Sequence, residues 1–366
     1  MSEWQTFCLK DLGKIVGGAT PSTNNPKNYG NKIAWITPKD LSTLQGRYIK
    51  KGSRSISRLG FKSCSCVLLP KHAILFSSRA PIGYVAIAKK RLCTNQGFKS
   101  IIPNKKIYFE FLYYLLKYHK NNFINMGEGT TIKGIYNIAL GLFKVKIPPT
   151  YYEQQKIART LSILDQKIEN NHKINELLHT LAYKIYEYYF KYKPKNAKLE
   201  QIIIENPKSS IMVKNAQKTQ DKYPFFTSGD NILSYPKAII DGRNCFLNTG
   251  GNAGIKFYVG KASYSTDTWC ICSNEFSDYL YLLLSSIKTH INQSFFQGTS
   301  LKHLQKNLLK KYPIYMPSAH EIKKFNQIIM PLLTLISINT RTSKKLEQIR
   351  DFLLPLLLTQ QVKPPK

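Results

Sequence analysis

The sequence predicts an α+β protein in which two similar globular segments are separated by two long helices, paired as an antiparallel coiled-coil spacer with pseudo-two-fold symmetry. The first observation behind this fold class is a repeat: Gly-Thr-Thr-Ile-Lys at residues 129–133 returns as Gly-Thr-Ser-Leu-Lys at residues 298–302. Each copy is followed by a proline, Pro148 or Pro317, and then by a long segment with the apolar pattern of a helix. Between the helices, short apolar alternations mix with turns, as is typical of α+β domains.

Each long helix is predicted from apolar or amide side chains that recur alternately after four and three residues, the heptad pattern of a coiled coil. The helices are expected over residues 152–190 and 319–360. The first seam consists of Ile157, Leu161, Leu164, Ile168, Asn171, Asn175, Leu178, Ala182, Ile185 and Tyr189. The second consists of Phe325, Ile329, Leu332, Ile336, Asn339, Ser343, Leu346, Arg350, Leu353 and Leu357.

Two details of these seams bear on how the helices pair. Asn171 and Asn339 occupy equivalent layers, so antiparallel pairing is expected to bring them together and to fix the register. Pro331 and Pro355 are expected to kink or limit the second helix, because proline lacks the amide hydrogen. Proline-bearing joints set the predicted limits of five parts: globules 1–150 and 196–317, spacer helices 151–195 and 318–360, and a tail 361–366.

Within the globules, apolar alternation predicts short strands followed by a helix. In the first globule, strands are expected at residues 67–69, 73–76 and 84–88 and a helix at residues 110–120. In the second, strands are expected at residues 257–259 and 269–272 and a helix at residues 277–286.

The formal net charge of +33 predicts a polyanionic partner, and nucleic acid is the natural candidate. A membrane surface is the alternative, but no segment shows the basic amphipathic pattern of an interfacial helix. Residues 1–150 hold 24 basic and 5 acidic side chains (+19), whereas residues 196–317 hold 14 and 8 (+6). The first globule is therefore expected to bind phosphate more strongly.

No apolar run reaches the roughly 20 residues of a membrane span and no signal peptide is recognisable, so a cytoplasmic protein is expected. The seven cysteines are odd in number and predict reduced thiols. Cys64 and Cys66, like Cys270 and Cys272, are separated by one residue, too few for a zinc pair, so core packing is expected.

Motifs of catalysis are missing from the sequence: no phosphate-binding loop, His-Glu-x-x-His zinc motif or Asn/Asp-Pro-Pro-aromatic motif occurs, and no convincing nuclease core is visible. A non-catalytic chain without its own metal or cofactor is therefore expected.

Polar turns beside the strands are the candidate DNA contacts, with ordinary surface turns as the alternative. Hydroxyl and lysine donors suit phosphate oxygens, while Arg, Asn and Gln can make paired hydrogen bonds to guanine or adenine. The predicted residues in the first globule are Thr20, Ser22, Thr37, Lys39, Ser78, Arg79, Asn95, Gln96, Thr130 and Lys133. Those in the second are Ser228, Asn248, Asn252, Lys256, Thr266, Thr268, Thr299 and Lys302.

A second candidate site is an apolar flank of the first long helix that lies outside its seam. It predicts a protein partner, with burial by the chain's own globules as the alternative. The predicted subunit contacts are Tyr151, Tyr152, Leu177, Leu181 and Tyr188.

Several of these segments, in this order, resemble one protein family. They include residues 9–13 (LKDLG), 35–41 (WITPKDL), 79–83 (RAPIG), 95–98 (NQGF), 153–158 (EQQKIA), 164–168 (LDQKI) and 346–355 (LEQIRDFLLP). Together they resemble the specificity subunit of a Type I restriction-modification enzyme over nearly the whole chain. The second half departs from the pattern: Ala-His-Glu-Ile replaces the Gln-Gln form at residues 319–322, and Asn-Gln-Gly is not repeated.

The resemblance implies two target-recognition domains that each read half of a bipartite double-stranded DNA target. It implies modification (methyltransferase) subunits docked on the spacer, which bind S-adenosylmethionine and methylate adenine, and restriction subunits that use ATP and Mg²⁺ to translocate and cut DNA. This chain would carry no catalytic residue. Two alternatives stay open: a nuclease or modifying enzyme with a divergent active site, and an RNA-binding or architectural protein without sequence preference.

Overall fold

The computed structural model describes residues 3–129, 133–216 and 222–364. The chain divides into two compact units, of which unit 1 takes residues 1–170 and 343–366 and unit 2 takes residues 171–342. Each unit therefore combines one globule with a part of both long helices. These limits fall inside the helices, so the predicted domain limits at the helix ends stay a prediction.

The globule of unit 1 is built from short strands and helices. The strands are β1 (Gln5–Cys8), β2 (Gly13–Gly17), β3 (Tyr29–Ile36), β4 (Tyr48–Ile49), β5 (Arg54–Ile56), β6 (Ile74–Phe76), β7 (Val85–Ala88), β8 (Cys93–Thr94), β9 (Lys99–Pro103) and β10 (Lys144–Ile147). The helices are α1 (Leu9–Leu12), α2 (Pro38–Ser42), α3 (Arg58–Lys62), α4 (Phe109–Tyr118), α5 (Lys120–Asn125) and α6 (Asn137–Leu142). The sheets have the strand orders β2-β9-β6-β7-β4, β5-β3-β8 and β1-β10.

The globule of unit 2 follows the same plan. Its strands are β11 (Ala197–Lys198), β12 (Ile204–Glu205), β13 (Tyr223–Phe226), β14 (Leu233–Tyr235), β15 (Arg243–Asn248), β16 (Ile255–Val259), β17 (Ser263–Tyr264), β18 (Thr268–Cys272), β19 (Phe296–Gln297), β20 (His303–Leu304) and β21 (Pro313–Ile314). Its helices are α8 (Val213–Ala216), α9 (Ser277–Ser286), α10 (Lys288–Ser294) and α11 (Lys306–Lys310). The larger sheets have the orders β12-β18-β15-β16 and β14-β13-β17.

The two long helices are α7 and α12. Helix α7 runs from Tyr151 to Tyr186 and continues into a π-helical turn, Glu187–Lys191, and α12 runs from Ala319 to Leu358. They pair antiparallel within each unit. In unit 1, Arg350 Nη1 donates to Asp165 Oδ1 at 2.7 Å, and the side chains of Ile157 and Leu357 share one core. The second helix continues through Pro331 and ends three residues after Pro355, so the expectation that either proline limits it early is wrong.

In unit 2 the antiparallel pairing is marked by an asparagine contact and an aromatic one. Asn339 Nδ2 donates to Asn175 Oδ1 at 2.9 Å, one layer away from the predicted partner Asn171. Asn175 in turn donates to Thr340 Oγ1 at 3.3 Å. Farther along, the rings of Tyr189 and Phe325 lie 6.0 Å apart. The seam thus contains the predicted amide layer, shifted by one step.

Most predicted elements of the globules are confirmed, as β6, β7, β16, β18, α4 and α9 show. The strand at residues 67–69 is wrong, because Leu69 forms only an isolated bridge to Leu92. Pro70 follows directly, and proline cannot donate to a strand ladder.

Buried polar groups attach the globule of unit 1 to the first long helix. Gln154 is buried, and its Nε2 donates to the carbonyl oxygens of Lys106 and Pro148 at 3.0 and 3.2 Å. Arg47 pairs with Glu110 of α4 at 2.9 Å and with Glu169 of the long helix at 3.2 Å. Because Gln154 and Arg47 are themselves buried, these bonds orient the globule on its helix.

In unit 2 an arginine makes the corresponding attachment to the second long helix. Arg243 pairs with Asp278 of α9, and its Nη1 donates to Thr334 Oγ1 of the helix at 3.0 Å. Glu110 and Asp278 are each the second residue of their helices, α4 and α9. In both globules the second residue of this helix is an acid that forms an ion pair with an arginine. The arginine comes from a different part of the globule in each unit.

The core packing predicted for the two closely spaced cysteine pairs is confirmed for Cys66 and Cys270, whereas Cys64 and Cys272 are half-buried. Cys66, Cys93, Cys245 and Cys270 are buried, and all seven cysteines are free thiols. Within the described ranges no cluster of three or more potential metal-ligating side chains occurs. No helix among the described residues is long and apolar enough to cross a membrane.

Candidate nucleic-acid interface

Five loops of unit 1 meet around residues 94–98, which connect β8 to β9. Ala19 N donates to Thr94 O at 3.0 Å, and Gly18 N donates to Phe98 O at 3.3 Å. A Cβ atom on Gly18 would stand 2.0 Å from the Asn95 carbonyl oxygen, so glycine is required for this approach. The side chains of Thr20 and Gln96 are joined by a hydrogen bond. The loop after β2 is therefore attached to the loop after β8.

The other three loops join the same centre. The parallel pairing of β3 with β8 lets Asn95 N donate to Ile36 O at 2.9 Å, which places the start of α2 beside it. Ser78 N donates to Gly97 O at 2.8 Å, and Ile135 N donates to Ser78 O at 3.0 Å. Together, residues 17–22, 37–39, 77–83, 94–98 and 133–135 form what we call the loop surface of unit 1.

Most of the predicted DNA contacts of the first globule lie on this surface. Thr20, Ser22, Lys39, Gln96 and Lys133 are exposed, and Arg79 and Asn95 are half-buried. Thr130 lies outside the described residues.

Two predicted residues of unit 1 form hydrogen bonds within the fold. Thr37 Oγ1 donates to Asp40 Oδ2 at 2.8 Å and caps α2. Burial alone would raise the pKa of Asp40, but hydrogen bonds from the backbone of Ser53 and Thr37 hold it below its ordinary value. Ser78 is buried, and its hydroxyl donates to Gly97 O at 3.1 Å. Both hydroxyls already form hydrogen bonds within the fold, and their contact with DNA stays a prediction.

Lys99, the first residue of β9, directly follows residues 94–98, and we include it in the loop surface of unit 1. The sequence motifs did not identify it. Its Nζ lies 3.4 Å from the place where a Cβ atom on Gly17 would stand. Burial lowers the pKa of Lys99, and the positive charge of Arg79 lowers it further. Its position directly after Asn95-Gln96-Gly97-Phe98 was the available signal.

The loops of unit 2 are connected by the same hydrogen bonds. Ser265 N donates to Phe226 O at 2.9 Å, Thr249 N to Asp267 O at 3.2 Å and Leu304 N to Thr249 O at 3.0 Å. The strands β13 and β17 pair in parallel, as β3 and β8 do. Residues 227–230, 248–254, 265–268 and 298–303 form what we call the loop surface of unit 2.

The predicted contacts of the second globule divide into exposed and internal residues. Asn252, Thr266, Thr299 and Lys302 are exposed on the loop surface. Asn248 and Thr268 are buried, and Ser228 is half-buried and donates to the Asp267 carbonyl.

Lys256, the remaining predicted contact of unit 2, is also used internally. Its Nζ donates to Thr227 O at 2.8 Å and to Asn248 Oδ1 at 3.1 Å, and burial lowers its pKa. Ser228, Asn248, Lys256 and Thr268 therefore form hydrogen bonds that hold the loops together, and their contact with DNA stays a prediction.

The predicted subunit contacts all lie on the first long helix. Tyr151 and Tyr152 lie in unit 1, whereas Leu177, Leu181 and Tyr188 lie in unit 2. All five are exposed, from 44% for Tyr151 to 85% for Tyr188. The alternative that the chain's own globules bury them is therefore wrong. With Ile174, the three residues of unit 2 follow helical spacing and form an exposed apolar stripe.

Comparison with known proteins shows which family this chain resembles in sequence. The family model of the type I restriction modification DNA specificity domain matches residues 1–180 and 195–348. The MjaIX specificity subunit of Methanocaldococcus jannaschii is 32% identical over 403 aligned positions, which cover 97% of this chain and 93% of that protein. The HindI specificity subunit of Haemophilus influenzae is 34% identical over 114 positions, 31% of this chain and 24% of that protein.

A solved structure has the same fold. The crystal structure of a Type-I restriction-modification system S subunit from M. genitalium superposes with a TM-score of 0.65 at 18% identity and covers 97% of this chain and 96% of that one. The predicted fold class, α+β with two globular domains and a helical spacer, is thereby confirmed. The chain therefore belongs to the family of type I restriction-modification DNA specificity subunits, which recognise sequence and do not catalyse.

Proposed function

We propose that each unit reads one half of a bipartite double-stranded DNA target with its loop surface, so that residues 1–150 and 196–317 act as target-recognition domains. The observation that carries this proposal is that one set of backbone hydrogen bonds gathers exposed polar side chains on both loop surfaces. Loops held by a rigid scaffold are the usual place for binding residues. Two readers in one chain suit a target with two separated half-sites.

In unit 1, Gln96, Asn95 and Arg79 have side chains that can pair with base edges, and the guanidinium group of Arg79 can equally pair with phosphate oxygens. Gln96 is exposed and receives a hydrogen bond from the Thr20 hydroxyl, which orients its amide. Asn95 is half-buried, and its Oδ1 accepts from Gly97 N at 3.0 Å, so Gln96 is the more accessible of the two amides. An oriented glutamine can form two hydrogen bonds with adenine, and an arginine can do so with guanine. We therefore assign Gln96 as the leading base contact.

The long helices would carry the partner subunits. The exposed apolar stripe of unit 2 and the tyrosines at the helix start are the proposed docking residues for modification subunits. In this arrangement S-adenosylmethionine, ATP and Mg²⁺ are bound by modification and restriction subunits, and this chain supplies the DNA sequence to which they are directed. The target adenine would be turned out of the duplex by the modification subunit.

Replacing Gln96 by alanine is expected to weaken binding to the cognate duplex by about 1 to 3 kcal/mol, because a base edge loses its paired hydrogen bonds. The cognate site can be found by methylation-sensitive sequencing of the genome with and without the gene. Binding to a random duplex should stay unchanged. The matched control is Gln155→Ala, an exposed glutamine on the long helix. Equal weakening on both duplexes would make Gln96 a phosphate contact instead.

The same purified chain also tests the two alternative functions, an enzyme with a divergent active site and an RNA-binding or architectural protein. Methylation or cleavage of DNA by the purified chain with S-adenosylmethionine or Mg²⁺ would reveal an enzyme. Tighter binding to RNA than to any DNA duplex would indicate an RNA-binding protein. Neither result is expected.

A further inference from the structure

The two loop surfaces carry different charges at matched positions. The shared hydrogen bonds align Ile36 with Phe226, Ser78 with Thr249, Gly97 with Asp267 and Ile135 with Leu304. By this alignment Lys39 corresponds to Gly229, Arg79 to Gly250, Lys99 to Trp269 and Lys133 to Lys302. Four cations on the loop surface of unit 1 therefore correspond to one on that of unit 2.

Arg79 and Lys99 are the central cations of unit 1. Arg79 lies beside Gly134, since a Cβ atom placed on Gly134 would stand 3.6 Å from the Cβ atom of Arg79. The side chain of Lys99 reaches toward Gly17. Both cations are half-buried. Among the described residues, no carboxylate lies within ion-pair distance of either side chain, although Arg47, Arg243 and Arg350 all have such partners. The segments that carry Arg79 and Lys99 are joined by the bridge between Ser77 and Phe98 and by the hydrogen bond from Ser78 N to Gly97 O at 2.8 Å. Cations on adjoining segments without an acid repel each other in the free protein, and a bound anion would reduce that repulsion.

Unit 2 has no equivalent pair at the matched positions. Trp269 is buried, and Gly250 has no side chain. The ammonium group of Lys256 donates into the fold, as described above. Asp230 and Asp267 add negative charge at the same loops. Phosphate attraction at this surface is therefore left chiefly to Lys302.

We propose that Arg79 and Lys99 form a phosphate clamp that gives unit 1 most of the salt-dependent affinity for DNA, whereas unit 2 binds mainly through uncharged contacts. This inference rests on the proposed function. It predicts that the first unit holds nonspecific DNA, and that the second adds to affinity chiefly when its half-site is present.

The test measures how the affinity of the full chain for a random-sequence duplex changes with KCl concentration, by fluorescence anisotropy. Each phosphate contact contributes about 0.9 to the slope of log K against log salt concentration. The double variant Arg79→Gln/Lys99→Gln should lower the magnitude of this slope by about 2. Lys302→Gln should lower it by no more than about 1.

Two further variants make the comparison sharp. Gly250→Arg installs the missing cation in unit 2, where a new Cβ would meet nothing closer than His303 Nδ1 at 4.0 Å. It should raise the magnitude of the slope by about 1. Lys105→Gln is the control, because this exposed lysine lies beyond the opposite end of β9 from Lys99 and should leave the slope unchanged.

The outcomes separate the clamp from the proposed function. A wild-type chain that binds duplex DNA, with the double variant behaving like Lys105→Gln, overturns the clamp and leaves DNA recognition intact. A wild-type chain that binds no duplex DNA overturns the proposed function and the clamp with it. Circular dichroism checks that the double variant is folded. If the double variant is not folded, the Gly250→Arg variant tests the proposal in its place. An unchanged slope of log K against log salt concentration for Gly250→Arg overturns the assignment of this loop position to phosphate binding.

Discussion

Replacing Arg350 by alanine is expected to lower the free energy of unfolding of the chain by about 3 to 5 kcal/mol, because it leaves a buried carboxylate without its cation. Asp165 is 4% exposed and accepts hydrogen bonds from Arg350 Nη1 at 2.7 Å and from the buried Tyr114 hydroxyl at 2.6 Å. Burial alone would lower the pKa of Arg350, but Asp165 and Asp351 hold it above its ordinary value. Chemical denaturation measures the change.

The matched variants for this prediction distinguish the buried charge from the loss of a long side chain. Lys344→Ala removes an exposed cation 3.9 Å from Glu347 on the same helix and should cost less than about 1 kcal/mol. Arg350→Met combined with Asp165→Leu should recover most of the loss, since apolar residues of similar volume often replace a buried ion pair at little cost. A loss for Arg350→Ala as small as that for Lys344→Ala would contradict the role assigned to the pair.

Replacing Leu177 and Leu181 together by glutamate is expected to abolish assembly with modification subunits. The two side chains are 70% and 47% exposed and lie four residues apart on one face of the helix. Two carboxylates buried in an apolar interface would have no partner, and their desolvation would cost several kcal/mol. Because both residues are exposed in the free chain, folding and DNA binding should be retained.

Assembly is measured by size-exclusion chromatography with light scattering after mixing with a cognate modification subunit. Leu59→Glu is the control, since Leu59 is 50% exposed on α3 of the globule and lies away from the long helices in sequence. Complex of normal size and amount from the Leu177/Leu181 variant would show that subunits dock elsewhere. Loss of assembly in Leu59→Glu as well would show that the effect is not specific to the stripe.

The long helices and the repeat could be predicted because their signals are local and periodic. Ile157, Leu161 and Leu357 occupy seam positions and are buried, as the heptad pattern requires. The exposed flank followed from the same geometry, since Leu177 and Tyr188 lie off the seam. Register was less predictable: Asn339 meets Asn175 rather than Asn171, because the pairing is set by packing along the whole helix and not by one layer.

The loop surfaces could be predicted only in part. Motifs in the sequence located the turns that contain Thr20, Arg79 and Gln96, and hydrogen bonds do connect these turns. The direction of each side chain within a turn depends on partners far away in sequence. Ser78 turns inward for this reason, toward Gly97 O, 19 residues along the chain.

By itself the sequence determined the fold class, the two long helices, the internal repeat and the family, because periodicity, turn residues and ordered motifs are properties of short segments. The tertiary structure decided which polar residues face outward, that the segments of Arg79 and Lys99 adjoin, and that Gly250 and Trp269 take the matching places in unit 2. Those facts depend on hydrogen bonds between strands and loops that lie far apart in the chain, which no local pattern records.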